Sequence, residues 1–232
     1  MREIRRSSER GLTDLGWLHS RHTFSFGNYY DPSHMGLSAL RVINDDRVEP
    51  GAGFGTHGHR DMEILSYVTQ GIIAHKDSMG HTISLPAGEF QLMSAGTGVT
   101  HSEYNASDSA PLHFLQIWIV PDQKGLLPGY QQKRFESTSA MQLIASPDAR
   151  DGSLLIHQDV LLHHIVLDAE QELVCPVRPD RAFYLHVIRG GMIIDGEQFD
   201  PGDGLGLIEE EAELALHGAT KLEALFFDLP AV

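Results

Sequence analysis

Hydrophobic residues in this chain recur with a period of two, and that periodicity limits what it can fold into. Over residues 112–120 the run Leu-His-Phe-Leu-Gln-Ile-Trp-Ile-Val fills both alternating sets with apolar or aromatic side chains, and Pro121 closes it. Such a run is a strand buried on at least one face. Similar runs occur at 37–43, 63–68, 71–75, 82–85, 154–157, 183–188, 192–194 and 224–229, separated by turn formers such as Asp77-Ser78-Met79-Gly80 and Asp195-Gly196. Many short strands at this spacing predict an all-β protein built as a barrel or sandwich. Helical patterning is sparse: 208–215 is rich in Glu and Ala, and both a short helix and a strand fit it.

Two phrases repeat. Tyr67-Val68-Thr69-Gln70-Gly71, followed by Leu85-Pro86-Ala87-Gly88-Glu89-Phe90, has a counterpart in His186-Val187-Ile188-Arg189-Gly190 followed by Phe199-Asp200-Pro201-Gly202-Asp203. Strand, hairpin and Pro/Gly turn come in the same order, which points to an internal duplication. The stretch 121–136, rich in turn formers and poor in periodicity, reads as the connection between the copies. A chain of 232 residues is long enough for two cores, and the expected domains are 1–125 and 136–232.

Charge narrows the partners. Seventeen Lys and Arg against 32 Asp and Glu leave a net charge of −15, which repels phosphate backbones and anionic lipid headgroups, so neither nucleic acid nor membrane is expected as a partner. The one basic cluster, Arg2, Arg5, Arg6 and Arg10, reads as a solvated terminal arm. Cys175 is the only cysteine, no apolar segment follows the basic N-terminus, and a reducing cytoplasm is the expected location. Cys175 itself reads as a buried structural thiol.

Chemistry concentrates in two pairs. His57 and His59 flank one residue, as do His101 and Glu103, so on strands each pair projects from a single face. Two neighbouring barrel strands can then aim three imidazoles and a carboxylate at one point, whereas a helix would need i, i+3 or i, i+4 spacing. Neither pair is specific alone, because with 14 histidines a His-x-His pair also arises on ordinary surfaces. Glu63 is the alternative carboxylate. His163 and His164 face opposite ways on a strand, and His75, His81, His113, His157, His186 and His217 read as packing or surface residues.

The surroundings of these pairs are more informative. Gly51-x5-His57-x-His59-x3-Glu63 and Gly80-x5-Pro86-x-Gly88 resemble the two motifs of the cupin superfamily. More narrowly, Gly53-Phe54-Gly55-Thr56-His57-Gly58-His59-Arg60-Asp61-Met62-Glu63 and Met93-Ser94-Ala95-Gly96-Thr97-Gly98-Val99-Thr100-His101-Ser102-Glu103 are similar to the signature of the pirin family, as is the stretch from His22 to Pro32. One departure from the general cupin pattern is Gln91, where the second motif has a histidine.

The resemblance implies a bicupin of two β-barrel (jelly-roll) domains, with a metal in the N-terminal cupin only. The ligand set it implies is His57, His59, His101 and Glu103, Glu63 being the alternative carboxylate. Such a donor set suits Fe(II), the first choice by resemblance, and equally Mn(II), Ni(II), Co(II), Cu(II) or Zn(II). The likeness is greatest to bacterial pirin-like quercetinases. It implies quercetin 2,3-dioxygenase activity on a small aromatic, flavonol-like substrate with O2, Glu103 doubling as the catalytic proton acceptor. Two other readings stand beside it: a metal-containing regulatory module that binds a protein partner, and a sugar isomerase or epimerase on the same barrel.

Overall fold

The computed structural model describes residues 1–136, 139–211 and 213–232. Among these residues there is no α-helix, only 3-10 turns at Ser7–Glu9 and Arg150–Gly152, and no helix is long and apolar enough to cross a membrane. The first half runs β1 (Arg2–Arg5), β2 (Gly11–Asp14), β3 (Leu18–His22), β4 (Leu40–Val48), β5 (Gly53–His59) and β6 (Glu63–Gln70). It continues with β7 (Ile72–Asp77), β8 (Thr82–Pro86), β9 (Glu89–Ser94), β10 (Val99–Asn105) and β11 (Leu112–Ile119). The second half begins with β12 (Gly129–Arg134), β13 (Met141–Ser146), β14 (Leu154–Leu155), β15 (Leu161–Leu167), β16 (Glu172–Cys175) and β17 (Arg181–Arg189). It ends with β18 (Met192–Ile194), β19 (Glu197–Phe199), β20 (Gly204–Ile208), β21 (Leu214–Gly218) and β22 (Leu222–Pro230).

The duplication expected from the repeated phrases is visible in strand order. One four-stranded sheet is ordered β5-β10-β7-β8 and the other β16-β21-β18-β19, the same order advanced by eleven strands. The seven-stranded sheets, β12-β9-β6-β11-β4-β3-β2 and β1-β20-β17-β22-β15-β13-β14, correspond in the same way except at the outermost pair. Each half therefore closes a barrel from one seven-stranded and one four-stranded sheet. The leading strand of each repeat, however, crosses over: β1 pairs with β20 and β12 with β9, so each barrel takes an edge strand from the other repeat.

That exchange revises two expectations. The basic segment is no solvated arm: the Arg5 and Arg10 side chains are buried, Arg10 between the Arg21 and Gly202 carbonyls and Asp45, while Arg2 and Arg6 pair with Asp195, Glu210, Glu197 and Asp203. The stretch 121–136 is a connection only up to Pro128, because Gly129–Arg134 completes the first seven-stranded sheet. Smaller differences are local. The expected strand 37–43 begins at Leu40, after a tight turn in which Leu37 and Leu40 exchange backbone hydrogen bonds, and 154–157 ends at Leu155 because the His157 N–H turns to Glu63. Within 208–215, Ala212 lies outside the described residues and Leu214 opens strand β21.

Both alternating sets of β11 are apolar because the strand is buried on both faces. Its odd residues Leu115, Ile117 and Ile119 join a cluster shared between the halves, with Leu65, Tyr67 and Phe90 from one barrel and Leu162, Leu225, Phe227 and Leu229 from the other. Phe114, from the even set, packs inside the first barrel with Val48, Val68, Ile73 and Leu85. The rim of the shared cluster is polar: Glu223 accepts from Tyr67 and faces His164, and His113 faces Asp45 at 2.6 Å.

Phe227, fully buried in the shared cluster, should be costly to truncate. Phe227→Ala is expected to lose about 3–5 kcal/mol of unfolding free energy, measured as a lowered urea midpoint; a loss below about 1 kcal/mol would mean that the two barrels are not stabilised by this contact.

Candidate metal centre

Strands β5, β10 and β7 lie side by side, and their alternation aims six ionisable side chains into the first barrel. His101 is the cross-strand partner of His57 on one side and of Asp77 on the other, and Glu103 is the partner of His75. Between His101 and Glu103 the β5–β10 register slips at a bulge, which places Glu103 opposite Phe54 and turns it deeper into the barrel. Gly53 is required there, since a Cβ on it would stand 2.4 Å from the Glu103 carbonyl oxygen and the Tyr104 Cα.

The ligating atoms of His57, His59 and His101 all lie within 4.8 Å of one another, with the Nε2 atoms of His59 and His101 3.0 Å apart. His57 Nδ1 sits 2.8 Å from the Gly55 carbonyl. A carbonyl only accepts, so that nitrogen carries the proton and Nε2 keeps its lone pair, the arrangement usual behind a ligating histidine. Burial, with help from neighbouring histidines, lowers His59 to about 4 and His101 to about 3, so both rings are neutral at pH 7. The Nδ1 atom of His101 is buried without a partner. Three imidazoles converging on one point fit a divalent cation.

Glu103 falls in a second grouping of atoms within 4.8 Å, with His75 and His101, all three buried. Its carboxylate accepts from Gln116 Nε2 at 2.9 Å and from the Ser66 hydroxyl at 3.4 Å, and Gln116 in turn accepts from Trp118 Nε1 at 3.2 Å. Burial first, and then the nearby Asp46, raise the Glu103 carboxyl to about 7. Glu63, the other carboxylate, lies in neither grouping: it accepts from Ser94 at 2.9 Å and faces His157 across the two halves. Gln91 is buried beside Tyr130, which donates to it at 3.3 Å.

His75 had been read as a packing residue. In the structure its Nε2 faces Asp77 at 3.1 Å, the same carboxylate holds His81 at 2.8 Å, and its buried Nδ1 has no partner. The signal was present as His75-x-Asp77 on the strand between the two motifs, but Asp77 also opens a turn, and the turn reading hid the alternation. Gln116 and Asp46 were missed for a related reason, being polar residues inside runs that read as core.

A cavity of about 320 Å³ opens beside the histidines. Phe26, Phe54, Trp118, Leu15 and Leu18 wall it, and Asn44, Asp46, Ser20, His22 and Gln116 supply its polar lining. The Trp118 ring stands edge-on to His59 at 5.0 Å and to Phe26 at 5.2 Å, fixing both. In the second barrel the strands matching β5 and β10 are β16 and β21, and they present Cys175, Leu214 and Leu216 to an apolar core. Burial pushes the Cys175 thiol up to about 12, which makes it inert.

The Pirin family model matches residues 3–119, and a family model described as the quercetinase C-terminal cupin domain matches residues 143–229. The chain is 51% identical over 99% of its length, and 99% of the relative's, to quercetin 2,3-dioxygenase of Escherichia coli (strain K12). Among solved structures, bacterial pirin YhhW of Escherichia coli in complex with nickel(II) superposes with a TM-score of 0.96 at 50% identity, over 100% of both chains. YhaK of Escherichia coli matches with a TM-score of 0.73 at 35% identity, over 95% of this chain and 98% of that one. The two barrels are therefore the two halves of a bicupin.

Since His59 and His101 stand well below the 6.5 of a free histidine, the unfolded chain takes up protons that the folded chain refuses as the pH falls below 6.5. With a chelator present, stability is expected to fall between pH 6.5 and about 4, at up to about 1.4 kcal/mol per pH unit for each ring. Urea unfolding across that range checks the slope, which His101→Gln should make shallower; an unchanged slope in that variant would show that His101 titrates as it does in free solution.

Proposed function

The chain belongs to the pirin family, and from that premise we propose that it is a metal-dependent quercetin 2,3-dioxygenase, opening the central ring of flavonols with O2 and releasing carbon monoxide. The observation that carries this reading is the convergence of three imidazoles, two of which, His57 and His59, line an aromatic-walled cavity. The name of the Escherichia coli relative supports it. The proposed ligands are His57, His59, His101 and Glu103, with Fe(II) the first choice among divalent ions; that YhhW was solved in complex with nickel(II), another divalent ion, supports a divalent metal. We place the metal in the first cupin, 1–125, and none in the second, 136–232, where Cys175, Leu214 and Leu216 fill the matching positions. A flavonol and O2 are the only partners that this reading requires.

A divalent ion bound there would act as a Lewis acid that lowers the pKa of a flavonol 3-hydroxyl and holds the resulting oxyanion. The chain's own groups do the rest. Glu103, held near neutrality by burial, accepts that proton, since a base is most effective when its pKa lies near the working pH. Gln116 and Ser66 steady the carboxylate, and the Gln116 amide is the donor that Glu103 would give up on binding the ion. Phe26, Phe54 and Trp118 exclude water and favour a flat aromatic ligand.

Metal analysis of anaerobically purified protein, with oxygen uptake on quercetin, tests the proposal. About one divalent ion per chain is expected, with uptake reduced by roughly two orders of magnitude or more in His57→Ala and by about 10²–10³ in Glu103→Gln. Full turnover and full metal content in Glu103→Gln would remove Glu103 from both roles. One ion without uptake in the wild-type protein would favour the regulatory module, and no ion would undo the ligand assignment.

A further inference from the structure

Asp46 sits in the first barrel in an arrangement that its own chain does not satisfy. It lies on β4 opposite Phe114 of β11 and Ser20 of β3, is 2% exposed, and its Oδ1 has no hydrogen-bond partner. It also lies near Glu103, which is raised partly by its charge, so a second acid is held in a poorly solvated interior. A buried acceptor with nothing donating to it costs folding free energy. Asp46 nevertheless lines the cavity beside the histidines. Ser20 bonds the Asp46 carboxylate but leaves Oδ1 unmet, and the other neighbours there are committed elsewhere: His22 to Asn44 at 2.7 Å and to Thr13 at 2.8 Å, and Gln116 to Glu103 and Trp118. Asp46 Oδ1 is the buried acceptor of the cavity left open, among the described residues, to a group from outside the chain.

We propose that Asp46 Oδ1 is a second recognition point of the cavity, accepting a hydrogen bond from a hydroxyl of the bound aromatic compound other than the one delivered to His57, His59 and His101. The inference rests on the proposed function for its ligand class and narrows that class to polyhydroxylated planar aromatics. A site built around an unpaired acceptor discriminates steeply against a ligand that lacks the matching donor, because the acceptor then stays buried and unmet. Apolar walls contribute to every flat ring alike and cannot make that distinction.

The test is anaerobic equilibrium binding to the metal-loaded protein, read from quenching of tryptophan fluorescence, since Trp118 lines the cavity. Two ligands are compared: quercetin, and 3-hydroxyflavone, which keeps the 3-hydroxyl and lacks the others. Wild-type protein should prefer quercetin by about tenfold or more. Asp46→Leu should erase most of that preference by weakening quercetin alone, and Asp46→Asn, which keeps the shape and one acceptor, should lie between. The ratio of the two affinities is the readout, so a general change in the field at the metal cancels. Both variants should keep their metal, and Asp46→Leu should melt a few degrees higher than wild type, having lost a buried unpaired acceptor.

Equal weakening of both ligands, or an unchanged ratio, would overturn the proposal and leave the proposed function standing. If metal-loaded wild-type protein binds neither ligand, the proposed function fails and this inference fails with it. Should Asp46→Leu not fold, the ratio in Asp46→Asn decides by the same criterion.

Discussion

The constraint on which the rest of this structure depends is that the central strands of both seven-stranded sheets are buried on both faces. One face of each closes its own barrel, and the other packs against its counterpart through Leu115, Ile117, Phe90, Leu225 and Phe227. A sheet held from both sides has little freedom to shift, because close-packed interiors resist sub-ångström displacement. Gln116 and Ser66, which hold Glu103, stand on those sheets. The histidines stand on the four-stranded sheet, whose strands alternate buried and exposed and whose far side meets solvent. The site thus has a rigid back and an accessible front.

The two barrels use the same framework to opposite ends. The second is filled with leucine, phenylalanine and methionine and needs nothing from outside. The first carries His75, His101, Glu103, Asp46, Asn44, Ser66 and Gln91 in its interior, all buried and several with an atom left unpaired. Polar groups in a barrel interior are a stability cost, and here they come bundled with neutral histidines and carboxyls poised near neutrality. The apolar partner and the shared cluster between the barrels offset that cost. Division of labour between a stabilising copy and a chemically active one is a natural outcome of duplication on a scaffold of this kind.

Much of this was legible in the sequence, and what was not has physical reasons. Period-two runs identified β6, β11, β17 and β22 because these strands are the most deeply buried. His-x-His and His-x-Glu spacing, with the glycines around them, located the histidine cluster. The arginine segment misled because charge reads as exposure, yet Arg10 is buried among carbonyls and acids that arrive from both halves of the chain. Strand β12 was lost for a similar reason: Gly-Tyr-Gln-Gln-Lys-Arg carries no apolar alternation, because its place in the sheet comes from backbone pairing with β9 at an edge. Asp46 and Gln116 were invisible as site residues because only the closing of the barrel brings them to face the cavity.

The reciprocal exchange of leading strands bears on how the chain is made. Ile4 pairs with Leu205, so β1, made before either barrel, has no partner until β20 of the second barrel has been made. The first barrel can close earlier, because β9 receives its edge from β12, translated soon after it. Its own arginine-bearing leader must meanwhile wait, and those charges keep an unpaired strand from recruiting neighbours on the polysome. Docking of that leader into the second barrel is then a late long-range event of maturation, and it works as a latch: the two barrels are locked together only once β1 has met β20.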